Sequence, residues 1–373
     1  MRVLMVVNTV FELYYLSSVG YLLKLARPDV RLSLLITPHS VVKLNDELRS
    51  LYSDVQIIGF PSITGLLVWD IINSVRFRYQ LSRLDLDVDI VCISSFREYF
   101  ANILCRYYAS GPRLLALRMS NYESDQLCKV KRPLRSIYLN LVNRMFGAST
   151  MEYRWHSDTA FTYTYWFTRN PYHRTICISD WGHGQTGSEF RLPPPFIALK
   201  RLYGLTGNGA IQHKLAILVA GERTPLFERW DSAAQALYEK VFDFLRKNFV
   251  GYELFFKPRA DFTDVDKLRP HGFRLISTDV AFEELCLRNT YSRVISVKST
   301  ASKVAAYCGH PAYVLYPMFN LPVNISKTLD AYLADMHSVI KVSDLSQLLV
   351  QPPSLFNIDL ERLSNIYWQA AAD

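Results

Sequence analysis

Short apolar runs rich in β-branched residues alternate with longer stretches of helical periodicity from the first residue onward. That alternation marks βαβ units wound around a parallel sheet, because a strand buried on both faces reads as a continuous apolar run. The spacing predicts strands at residues 2–7, 32–36, 55–60, 90–93 and 113–117, with helices at 14–25, 41–51, 66–81 and 97–108 between them. A second series predicts strands at 215–220, 252–256, 273–276, 293–297 and 312–315, and helices at 233–247 and 301–308. A final helix at 360–369 follows Pro352-Pro353 and is placed to pack back on the first half.

Between the two series, residues 119–196 are less regular and rich in Tyr, Trp, Arg and His, and they end in Pro193-Pro194-Pro195, which cannot continue an element. Gly204, Gly207 and Gly209 then cluster, so the main boundary is expected near 196–213. This divides the chain into an N-terminal Rossmann-like domain (1–196), a second one (214–350) and a C-terminal helical segment (351–373). A chain of 373 residues suits two domains at about 150 residues each. Neither G-x-G-x-x-G nor G-x-x-x-x-G-K-[ST] occurs, which argues against a dehydrogenase or a P-loop enzyme. The expected fold is therefore α/β of the GT-B type, two Rossmann-like domains facing each other across a cleft, with ligand beyond the carboxyl ends of the strands.

Half of the residues are apolar and 20% are charged, which excludes wholesale disorder. The N-terminal run lacks a small-residue cleavage site and reads as a buried strand, and no uninterrupted apolar stretch reaches about 18 residues. A cytoplasmic protein is expected. Cys92, Cys105, Cys128, Cys177, Cys286 and Cys308 are far apart with no C-x-x-C pair, and are read as reduced, mostly buried thiols. The net charge of +8 suits nucleic acid, an anionic membrane or an acidic substrate. Nucleic acid is not the expected partner, because the charge is spread through both halves and no nucleic-acid motif is present.

Four places carry residues suited to chemistry. Strand 252–256 runs into Lys257-Pro258-Arg259, two cations at a strand's carboxyl end, suited to gripping a phosphate or else simply facing water. Between strand 293–297 and helix 301–308, Lys298, Ser299 and Thr300 offer an anion pocket at a helix N-terminus, or ordinary capping. The run 176–178 delivers Asp180, Gly182 and His183 into a loop; the acid or the imidazole is a candidate general base, and a turn stabilised by Asp180 is the other reading. Asn8 and Thr9 end the first strand, where a Rossmann half meets its ligand or caps the following helix. Asp85, Asp87 and Asp89 have D-x-D spacing but precede a strand and read as its solvated entry, so no metal is expected.

Together these residues resemble a family, the bacterial lipooligosaccharide sialyltransferases and the related polysialyltransferase-like proteins. Residues 8–13, Asn-Thr-Val-Phe-Glu-Leu, are similar to the family's N-T-P-x-Q-L start, and residues 89–96 to its strand ending in a Ser-Phe pair. Asp180-Trp181-Gly182 resembles [DE]-[DE]-G, Lys257-Pro258-Arg259 resembles K-P-H-P, and Ser299-Thr300 resembles the paired hydroxyl motif. The order and spacing match across most of the chain. The resemblance implies an inverting, metal-independent GT-B enzyme without a cofactor, moving sialic acid or a related nonulosonic acid from a CMP-sugar to a glycan or lipid-linked glycan of the cell surface. It implies a base at or near Asp180, with His183 in reserve, and CMP held by Lys257, Pro258, Arg259, Lys298, Ser299 and Thr300. Trp181 stands where the family has a second acid, and Arg259 where it has His; the guanidinium stabilises charge but delivers no proton.

From Leu134 to Phe146 helically spaced apolar residues mix with Arg135 and Arg144, after Lys129, Lys131 and Arg132. This segment reads either as peripheral contact with an anionic membrane, at the inner face of the bacterial inner membrane, or as a core-facing helix with a basic outer face. The alternatives to a sialyltransferase are a GT-B transferase using CMP-Kdo or a UDP-sugar, and a non-catalytic scaffold of a polysaccharide assembly complex.

Overall fold

The computed structural model describes residues 1–37, 44–59, 67–84, 86–94, 99–118, 133–146, 151–155, 163–167, 171–178, 184–186, 189–204, 216–221, 232–258, 271–297, 300–319, 321, 323–334, 336–351 and 359–372. The chain divides into two compact units, Met1–Ala198 with Ile358–Asp373, and Leu199–Asn357.

The first unit contains β1 (Arg2–Val7), α1 (Val10–Ala26), β2 (Arg31–Ile36), α2 (Asp46–Arg49), β3 (Asp54–Ile57), α3 (Leu67–Arg83), β4 (Ile90–Ile93), α4 (Tyr99–Tyr107) and β5 (Arg113–Arg118). It continues with α5 (Pro133–Phe146), β6 (Met151–Trp155), β7 (Tyr163–Phe167), β8 (Arg174–Ile178), β9 (Gly184–Thr186) and β10 (Glu189–Leu192), and α6 (Ile197–Leu202) leads into the second unit. Its main sheet has eight strands in the order β3-β2-β1-β4-β5-β8-β10-β9, parallel except for the antiparallel edge β9. The irregular middle of the chain therefore extends this sheet by three strands, and adds the separate hairpin β6–β7. RTICI and EFRL mix polar with apolar residues, so they do not show the apolar run that marks β1 and β4.

On one face of this sheet α3, α4 and α5 lay Phe77, Leu81, Ile103, Val142 and Phe146 against Leu4 and Val6. α1 covers β1 and β2 so closely that a Cβ on Gly20 would lie 2.9 Å from Leu32 Cδ1 and 3.3 Å from Met5 Cε. The last helix, α11 (Leu360–Ala372), packs along α1 and touches β8 and β10. Tyr367 is wholly buried there and its hydroxyl donates to the Pro193 carbonyl at 2.8 Å. Arg174 donates to the carbonyls of Gln369 and Ala370, both at 3.1 Å, and Arg113 to that of Ala372, so two guanidiniums cap the helix's negative end.

The second unit contains β11 (Ala216–Ala220), α7 (Ser232–Asn248), β12 (Glu253–Lys257), β13 (Arg274–Leu275), α8 (Phe282–Arg288), β14 (Arg293–Ser296), α9 (Thr300–Tyr307), β15 (Ala312–Val314), α10 (Val323–Tyr332) and β16 (Val339–Lys341). All six strands are parallel, in the order β13-β12-β11-β14-β15-β16. β11 and β14 are buried along their whole length, as strands covered on both faces must be.

The turn from α9 to β15 carries a pH-sensitive contact. Gly309 takes φ +83°, a left-handed conformation that ends the helix, and sets His310 into the core. His310 Nε2 lies 2.6 Å from the Cys286 carbonyl, and the Tyr291 amide donates to Nδ1 at 3.4 Å, so the neutral ring satisfies both nitrogens. Burial, with the Lys200 ammonium nearby, holds its pKa down to about 4. The unfolded chain takes up this proton near pH 6.5 and the folded chain does not. Stability is thus fully present above about pH 6.5 and falls toward pH 4, by about 3 kcal/mol from this group alone. Urea unfolding at pH 7 and pH 4.5 is expected to show the loss, and His310→Gln to flatten it; an equally steep loss in the variant contradicts the assignment.

Candidate functional site

In an open parallel sheet, the chains leaving two adjacent strands to opposite faces open a crevice at their carboxyl ends, and ligands bind there. In the second unit that point lies between β11 and β14. Gly221, just past β11, donates its amide to the Lys257 carbonyl at 2.8 Å, which holds the ends of β11 and β12 together. Lys257 closes β12 and is nearly buried, and Pro258 follows it. Its ammonium donates to the Pro258 carbonyl at 3.1 Å and to the Thr278 carbonyl at 3.4 Å. Burial lowers its pKa, opposed by the carboxylates of Glu283 and Asp279, while burial raises that of Glu283 against the pull of Lys257. One ammonium donor thus stays on the β12 end and a second ties it to the turn before α8, placing a cation and the Glu283 carboxylate near each other at this edge.

From β14 the chain passes to α9, whose first residue is Thr300. Ser296 and Ser302 flank this passage, but their hydroxyls lie 2.6 Å apart in the core and Ser302 donates on to the Tyr313 carbonyl at 3.0 Å. These two hydroxyls are structural. The fully buried Lys303 holds its ammonium 3.6 Å from the centre of the Tyr332 ring. Arg259, Lys298 and Ser299 lie outside the described residues; Arg259 follows Pro258 directly, and Lys298 and Ser299 separate Val297 from α9.

The equivalent point of the first unit, between β1 and β4, is built differently. Thr9 is the N-cap of α1, and its hydroxyl accepts from the Glu12 amide at 3.2 Å. The Glu12 carboxylate accepts from the Asn8 amide at 2.6 Å and the Thr9 amide at 3.1 Å. Here the positive end of the helix is met by a carboxylate of the chain itself, so Asn8 and Thr9 serve a capping box. Asp180, Gly182 and His183 lie outside the described residues, after Ile178, which ends β8 on the carboxyl edge of this sheet.

Beside β8, the structure adds a feature that the sequence reading missed. Arg118 closes β5, pairs in register with Cys177, and lies almost buried with a guanidinium nitrogen 3.8 Å from Glu189. Arg191 approaches the same carboxylate at 3.9 Å. The one signal in sequence was an Arg ending the apolar run LLALR. At the opposite, amino edge of the sheet, Asp87 and Asp89 both bind Arg2, Asp89 through the Arg2 amide at 2.7 Å. The five described cysteines are all buried, and burial raises the thiols of Cys92, Cys105, Cys177 and Cys308 to about 12. Cys128 lies outside the described residues.

The sequence matches no protein-family model and no curated protein. Among solved structures, a putative UDP-N-acetylglucosamine 2-epimerase from Listeria monocytogenes is similar over 99% of this chain and 90% of its own, at 10% identity and a TM-score of 0.53. Another structure of a UDP-N-acetylglucosamine 2-epimerase is similar over 98% of this chain and 90% of its own, at 13% identity and a TM-score of 0.48. The glycotransferase of kitacinnamycin is similar over 100% and 91%, at 12% identity and a TM-score of 0.47. The likeness spans both doubly wound units in order, and the chain has the α/β fold of the GT-B type, with two Rossmann-like units in one polypeptide.

Proposed function

We propose that the protein is an inverting glycosyltransferase that moves sialic acid or a related nonulosonic acid from a CMP-sugar to a cell-surface glycan or lipid-linked glycan, working at the inner face of a bacterial membrane. The observation that carries the reading is the contrast between the two units. In the first, the helix N-terminus at the crevice is occupied by Glu12, whereas in the second Lys257 closes β12 on one side of β11 and α9 begins after β14 on its other side. A donor phosphate suits a carboxyl edge that carries both a cation and a helix N-terminus. The motif resemblance supplies CMP as the nucleotide. The acceptor hydroxyl gives its proton to Asp180 while its oxygen attacks the anomeric carbon. The bond from that carbon to the phosphate oxygen breaks through an oxocarbenium-like transition state, and CMP leaves with the electron pair. Arg259, Lys257 and the N-terminus of α9 meet the departing phosphate. The experiment is release of CMP from CMP-sialic acid in the presence of acceptor glycans. Arg259→Ala is expected to weaken CMP binding about ten- to a hundredfold, the value of a charge-assisted hydrogen bond. Unchanged affinity in that variant would remove Arg259 from the site, and turnover of a UDP-sugar instead would support the other donor class.

A further inference from the structure

Helix α3 is apolar on both sides. Phe77 and Leu81 face the core, while Val68, Ile72, Val75 and Tyr79 recur at helical spacing on the opposite side with Trp69 beside them. α5 repeats the pattern: Val142 and Phe146 are buried, and Ile137, Leu141 and Met145 point outward. All eight outward side chains are 47–67% exposed. The two helices are neighbours on one face of the sheet, joined by the Tyr138 hydroxyl, which donates to Asp70 at 2.7 Å. A helix with one apolar stripe in the core and a second facing outward has another apolar environment to meet.

The charges name that environment. Asp70 is the only carboxylate in α3, α4 and α5, and it is buried under the Tyr138 bond. Arg76 and Arg83 are exposed on the outer side of α3, Arg83 stacked over the Tyr79 ring at 5.0 Å, and Arg106 and Arg144 are exposed on α4 and α5. We infer that the outer face of α3 and α5 docks on an anionic lipid leaflet, the apolar side chains entering the acyl boundary and the arginines meeting the headgroups. Trp and Tyr suit that boundary, and arginines without an exposed carboxylate suit anionic lipid. A second copy of the chain would set like-charged arginines against each other across a two-fold axis. Of the two readings of residues 134–146, the membrane contact belongs to the outer side of α5, while Val142 and Phe146 face the core.

The test is sedimentation of the full chain with vesicles of equal parts phosphatidylcholine and phosphatidylglycerol, and with phosphatidylcholine alone. Binding to the mixed vesicles only is expected. Ile72→Ser with Leu141→Ser, and separately Arg76→Gln with Arg144→Gln, are each expected to weaken it about tenfold or more, at an unchanged melting temperature because all four residues are exposed. Failure to bind the mixed vesicles, or undiminished binding in both variants, overturns the inference. So does a dimer that the serine variant dissociates, which would make a second copy the occupant. Vesicle binding is read without nucleotide, so its failure is distinct from failure of the transferase reading.

Discussion

Replacing Tyr367 by Ala is expected to lower the unfolding free energy by about 3–5 kcal/mol, the range for deleting a large aromatic from a packed core. Tyr367 has no exposed surface, lies in α11, which packs on α1, β8 and β10, and is tied through its hydroxyl to Pro193, 174 residues earlier. Removing the ring leaves a buried void and takes the hydroxyl from the Pro193 carbonyl. Tyr367→Phe keeps the volume and deletes only the hydrogen bond, so it is expected to cost about 1 kcal/mol. Denaturant unfolding of the pair separates the contributions. A loss below about 1 kcal/mol in Tyr367→Ala would show that α11 is a dispensable appendage.

The second large effect concerns catalysis. Asp180→Ala is expected to lower kcat by about 10²–10⁴, the usual value of a positioned general base, and to leave CMP affinity unchanged, because the nucleotide is assigned to the other unit. His183→Ala is expected to change turnover far less. Turnover and calorimetric affinity measured on both variants check this. Full activity in Asp180→Ala with loss in His183→Ala would transfer the role of base to the imidazole.

What the sequence made legible follows from how each element is stabilised. β1, β4 and β11 are buried along nearly their whole length, so their residues form apolar runs that are readable without any structure. The parallel-sheet class and the placement of Lys257 at a strand's carboxyl end follow from those runs; the strand order does not. β8, β10 and β9 mix polar with apolar residues, and they extend the sheet beyond β5. Residue 41–51 was expected to be one helix, and among its described residues only Asp46–Arg49 are helical. Of the candidate site residues, Lys257 was placed at a strand end by its residue type and position, but its contacts were not legible. Nothing local says that the Lys257 ammonium turns to Thr278, 21 residues away, or that Arg118 meets Glu189. The capping box at α1 was more accessible: Thr9 and Glu12 have the Thr-x-x-Glu spacing that predicts it. The fold comparison carries the architecture alone.

The claim on which the account turns is that the second unit binds a cytidine monophosphate donor. Calorimetric titration of the purified protein with CMP and with UDP addresses it directly. The account predicts saturable binding of CMP that is at least tenfold tighter than that of UDP, a difference of about 1.4 kcal/mol, and weakened by Arg259→Ala. Binding of UDP in preference to CMP, or of neither, would contradict it.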